Sequence, residues 1–66
     1  MREKLIEKRR ARGWTQSDLA QACGITAAQI SRIERGDRGI SGRLAVKIQT
    51  ALQLSDSEVM QILKGA

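Results

Sequence analysis

The chain has 66 residues, with twelve Lys and Arg against seven Asp and Glu, no His and a single Cys, for a formal charge of +5. A chain of this length makes one domain, near the lower limit for folding unaided, and one Cys without His leaves neither a disulfide framework nor the roughly four ligands of a zinc site. No apolar run nears the roughly 18 residues of a membrane span, and the N-terminus is too charged for a signal-peptide core; a soluble protein in the reducing cytoplasm is expected.

Residues 1–12 carry six basic and two acidic side chains, and residues 13–66 carry six and five. A small chain with this field attracts polyanions, nucleic acid first. The first helix is predicted from about Arg2 to Arg12, stopped by Gly13. Leu5, Ile6 and Ala11 are too few for an anionic membrane surface, so no membrane partner is expected. The helix is expected to dock through Leu5, in part Ile6, and the aliphatic stems of its basic residues. Trp14, the only aromatic residue, is predicted to plug the end of the core.

Residues 15–36 then carry two short helices around a tight turn. Thr15 with Asp18 makes a capping box for one, and Thr26 with Gln29 repeats it for the other. Cys23-Gly24-Ile25 supplies the turn, where Gly24 can take a positive φ at little cost. Cys23 reads as a small buried hydrophobe rather than a reactive thiol. Ile30 and Ile33 point inward onto Leu19 and Ala20. Ala27, Ala28, Ser31, Arg32 and Arg35 form an outward stripe that is small, polar and basic, without an acidic residue. Two capped helices at this spacing are the pattern of a helix-turn-helix, about residues 15–35, a unit that sets its second helix into the DNA major groove.

Gly36-Asp37-Arg38-Gly39 reads as a loop. Ser41 caps a fourth helix, with Leu44, Ile48, Ala51 and Leu52 on its buried face. After Leu54, Ser55 and Glu58 form a third capping box and open a fifth helix. That helix is apolar on more than one side, so Val59, Met60, Ile62 and Leu63 are candidates for contact with a second copy of the chain. Nothing reads as strand. The expected architecture is all-α, a compact bundle of five helices forming one domain over residues 1–66, with the helix-turn-helix made by helices two and three.

The chain resembles the Cro and lambda-repressor type of helix-turn-helix regulator, the XRE family. The matching residues are Arg9 through Gly13-Trp14-Thr15-Gln16, Leu19-Ala20, Gly24-Ile25-Thr26, Ile30-Ser31, Ile33-Glu34-Arg35-Gly36, Lys47-Ile48 and Ala51-Leu52. Each motif alone is weak, but their order and spacing together are specific. The resemblance implies a lambda-repressor-like fold and assigns Gln16 to a DNA phosphate. It sets Ala27, Ala28 and Arg32 before base edges, with Ser31 on the same side, and pairs Arg9 with Glu34 as a structural bridge. Two positions depart from the family. Lys8 replaces an apolar residue, so helix one is expected to dock loosely or at a changed angle. Ala27 and Ala28 replace amides that read adenine in some members, which leaves readout mostly to Arg32, with Gln29 and Ser31 as lesser candidates. Arg35, Arg38 and Arg43, beside the recognition helix, join Gln16 as expected phosphate contacts.

The function this implies is sequence-specific binding of double-stranded DNA by a small regulator, a repressor acting as a homodimer on a palindromic operator. A rival reading makes the chain chiefly a protein-binding partner, an antitoxin or adaptor using the fifth helix, although no long flexible or acidic extension is there to wrap a partner. Catalysis is the weakest reading, since there is no His, no Tyr, no clustered carboxylate pair and no base near Cys23. No cofactor and no metal are called for. The chain suits a stand-alone regulator controlled by its own concentration, or the DNA-binding piece of something longer.

Overall fold

The computed structural model describes residues 1–65. They form five helices, α1 (Glu3–Ala11), α2 (Gln16–Cys23), α3 (Ala27–Arg35), α4 (Gly42–Leu52) and α5 (Asp56–Lys64), with no strand among the described residues.

Local chemistry sets most of the boundaries. The three capping boxes form as their spacing predicts: Thr15 with Asp18, Thr26 with Gln29, and Ser55 with Glu58. Ser41 caps α4 by accepting from the Leu44 backbone N–H. Each such cap satisfies N–H groups with no intrahelical partner and is worth about 1 kcal/mol. Gly24 and Gly36 end α2 and α3 in the left-handed conformation, at φ 70° and 84°. Behind each, two backbone N–H groups turn back to the last carbonyls of the helix, from Gly24 and Ile25 and from Gly36 and Asp37. α4 closes in the same way, but with Gln53 at φ 53° in the glycine role. α1 is shorter than expected at both ends. Arg2 leaves helical geometry (φ −84°, ψ 76°) and offers no side-chain cap to its own helix.

α2 packs on α3 and α4, while α5 packs on α1 and α4. One cluster joins them: Leu5 from α1, Leu19, Ala20 and Cys23 from α2, Ile30 and Ile33 from α3, Ile48 and Leu52 from α4, then Leu54 and Ile62. Trp14 packs half-buried at its edge, as expected, with the Arg12 guanidinium 5.1 Å from its ring centroid. That distance is within cation–π range.

Two expectations are corrected. Val59 and Ile62 are 8% and 1% exposed, because α5 must close the chain's own core against α1 and α4. They are withdrawn as interface candidates, while Met60 and Leu63 remain at 49% and 37% exposure. Nor does Lys8 loosen α1. It faces the first turn of α5 and pairs with Glu58, while Leu5, one turn before it, is fully buried. The Lys8 ammonium, then the Ser55 backbone N–H, hold the Glu58 carboxyl down from its ordinary 4.5 to about 2. Glu58 reciprocally raises the Lys8 ammonium. A charge serves at position 8 because the neighbouring helix begins there with a carboxylate.

Candidate nucleic-acid interface

The face built by α2 and α3 rests on a buried ionic knot. Glu34, on the inner side of the last turn of α3, is almost fully buried. Arg9 reaches it from α1 with Nε donating to Oε2 at 2.6 Å and Nη2 to Oε1 at 3.2 Å. The same guanidinium donates through Nη1 to the carbonyl of Trp14 at 2.8 Å. Gln16, at the start of α2, donates from Nε2 to Glu34 Oε1 at 3.0 Å. A carboxylate out of water needs both a counter-charge and filled lone pairs, and this arrangement supplies them. It also neutralises the one acidic side chain of α3 and locks the N-terminus of α2 to the C-terminal turn of α3.

Gln16 is therefore held in place rather than free. An amide nitrogen carries two N–H groups, so one remains for a phosphate beside the uncapped N–H groups of the first turn of α2. On α3 the predicted stripe is narrower than expected. Ala28, Arg32 and Arg35 are exposed. Ala27 and Ser31 are half-buried, and Ala27 packs against the core. Gln29 accepts from the Thr26 backbone N–H at 2.9 Å, so its carbonyl is committed to the cap and only its N–H groups remain to reach outward. The most accessible polar group facing outward from the middle of α3 is the guanidinium of Arg32.

Beside the turn that leads into α3 the structure gathers more positive charge. Arg38, Arg43 and Lys47 line a cleft of about 190 Å³ together with Cys23, Ile25, Ser41 and Leu44. Lys47 was not among the expected phosphate contacts. Its signal was present in the sequence, since it stands four residues after Arg43 and so on the same face of α4. Arg35 makes an exposed pair with Asp37 at 3.2 Å. Such a pair contributes little and yields readily to a phosphate. Cys23 lies at the floor of the cleft, buried and unbridged. Burial pushes its thiol pKa up, and the charge of Lys47 opposes that only in part.

One helix with a small central face and an outward guanidinium, with three further cations gathered at the turn before it and on α4, offers phosphates several positive partners. Among the described residues no group of His, Cys, Asp or Glu is arranged to hold a metal, and no helix is long and apolar enough to cross a membrane. A family model described as helix-turn-helix matches residues 5–59, from α1 into α5. The chain matches no curated protein and no solved structure.

Proposed function

The chain belongs to the helix-turn-helix family of Cro and lambda-repressor type, a family of DNA-binding regulators, and on that premise we propose that it is a sequence-specific repressor that binds a palindromic operator as a homodimer. The observation that carries the reading is the exposed face of α3: Ala28 and Arg32 stand outward and its one carboxylate is turned inward onto Arg9, while Arg38, Arg43 and Lys47 line a cleft with the turn that precedes α3.

In this reading residues 1–66 act as one domain in the cytoplasm and α3 lies in the major groove. Arg32 donates in bidentate fashion to guanine O6 and N7, and the methyl groups of Ala28 and Ala27 take up thymine methyls. Ser31 and Gln29 serve as lesser contacts. Gln16, Arg35, Arg38 and Arg43 hold phosphates and set the register. One such unit reads only a few base pairs. Two units on half-sites about 34 Å apart reach useful affinity and account for a palindrome. Met60 and Leu63 give α5 an exposed apolar surface for a second copy.

The test is binding of the purified protein to fragments tiling the DNA upstream of its own gene, with excess competitor, at two salt concentrations. One fragment that survives competition, with a steep salt dependence, is the expected result. Weak, uniform binding that vanishes at the higher salt overturns the reading and turns the search to a protein partner.

A further inference from the structure

We infer that Arg2 is a positioning residue for DNA binding: from the start of α1 it fastens the C-terminal end of α3 and the backbone of Arg38, and so fixes where the Arg38 cation stands beside α3. The inference rests on the DNA-binding reading and adds to it a residue that makes no DNA contact of its own.

Three hydrogen bonds carry it. The Arg2 backbone N–H donates to the Glu34 carbonyl at 2.8 Å. Its Nη1 donates to the Ile33 carbonyl at 2.8 Å and to the Arg38 carbonyl at 2.7 Å. The last turn of a helix leaves carbonyls without partners and carries partial negative charge. The guanidinium adds a second donor to the Ile33 carbonyl, which also accepts from the Gly36 N–H, and it complements the dipole. Because one nitrogen reaches both Ile33 and Arg38, it also clips the loop 36–39 to the helix. Among the described residues the Arg38 carbonyl has no other hydrogen-bond donor.

The arrangement costs more than a purely structural anchor needs to. Arg2 is 8% exposed, and its Nε is buried without a partner. Such a group gives back part of what the other bonds gain. Local compromises of this kind gather where a structure serves a function. Here the gain is a loop with its backbone already ordered. If the loop were loose, ordering it would be charged against each binding event, since fixing one residue is worth roughly a tenfold change in an equilibrium.

The experiment compares the wild-type chain with Arg2→Met, which keeps an apolar stem without donors, and Arg2→Lys, which restores charge and donors. Each is made alone and in the Arg38→Ala background. Two readouts are taken: amide hydrogen exchange at residues 36–39, and affinity for a non-specific duplex oligonucleotide across a salt series. Arg2→Met is expected to speed exchange in the loop, weaken duplex binding about tenfold and lower the salt slope by up to about 0.9, the share of one phosphate. Arg2→Lys recovers most of both. In the Arg38→Ala background Arg2→Met leaves the slope unchanged, because the cation it positions is gone. Unchanged loop exchange overturns the inference, and so does an equal loss in the Arg38→Ala background, which would mark Arg2 as a distant charge only. A wild-type chain that leaves the duplex unbound at low salt overturns the functional reading itself, and with it the DNA-binding part of this inference.

Discussion

Arg9 and Glu34, 25 residues apart, meet in bidentate geometry inside the fold, with Nε to Oε2 at 2.6 Å and Nη2 to Oε1 at 3.2 Å. The pair ties α1 to the recognition helix, and Gln16 adds α2 to the same carboxylate. Removing one partner of such a pair strands a buried charge, at about 3–5 kcal/mol. A chain of this size holds only about 3–10 kcal/mol in total, by the usual stability per residue. Glu34→Ala is therefore expected to lose a large share of that stability, read as a much lower urea midpoint. The double variant Arg9→Met, Glu34→Leu should keep distinctly more stability, since no charge is left unpaired. Equal losses in the single and double variants would mean that the charge balance is not what matters at this site.

Gln53 sits at φ 53°, where the equivalent turns after α2 and α3 use glycine. A side chain in that region costs roughly 1–3 kcal/mol, and glycine returns roughly 0.5–1 kcal/mol of that through its greater freedom when unfolded. Gln53→Gly is expected to stabilise the chain by about 1 kcal/mol. For a domain of this size that raises Tm by about 4–8 °C, and a Tm at or below wild type would count against strain at this turn.

The Glu58 carboxyl, held down to about 2 by Lys8 first and by the Ser55 N–H, makes folding favour its ionised form. Its contribution is complete above the ordinary carboxyl value of about 4.5 and is lost as the pH falls through about 2. Stability should therefore decline across that window. Glu58→Gln, which keeps the capping geometry but not the charge, should flatten this stretch of the pH–stability curve, lying modestly below wild type at pH 7 and meeting it at low pH. An unaltered curve would remove Glu58 from the acid response.

Arg32 and the cations around it should separate cleanly on DNA. Arg32→Ala is expected to lose about 1–3 kcal/mol on the operator and to relax preference at one position per half-site. Lys47→Ala should weaken all sequences alike and reduce the salt slope by about one phosphate contact. Selection from a randomised duplex library measures the first effect, and a salt titration the second. If Arg32→Ala kept the full sequence preference, readout would lie elsewhere on α3.

Burial raises the Cys23 thiol from its ordinary value of 9, with Lys47 opposing only in part. The native thiol is thus expected to resist alkylation at neutral pH, with the rate climbing in urea as the chain opens. Because the unfolded thiol ionises more easily, stability should also decline as the pH rises above 9. Rapid alkylation of the folded protein would show that the floor of the cleft opens without global unfolding.

What could be read from the one-dimensional chain was whatever depends on near neighbours. Thr15 and Asp18, Thr26 and Gln29, and Ser55 and Glu58 lie three residues apart, so their caps follow from spacing alone. Gly24 and Gly36 mark helix ends because few other residues take a positive φ readily. The inward set Leu19, Ile30, Ile33 and Ile48 follows from helical periodicity. The Arg9–Glu34 bridge was expected only through resemblance to a family, since nothing in a separation of 25 residues points one side chain to the other.

Tertiary packing alone decided the remainder. Met60 and Leu63 stay exposed while Val59 and Ile62 are buried, although all four read as apolar, because the direction from which α1 and α4 approach α5 selects the covered side. Lys8 finds Glu58 and Arg2 finds Ile33, Glu34 and Arg38 because helix docking brings distant termini together. Spacing along the chain dictates local geometry through covalent reach. Which long charged side chains end up paired depends on where whole helices dock, and that is set by the summed burial of the core rather than by any short motif.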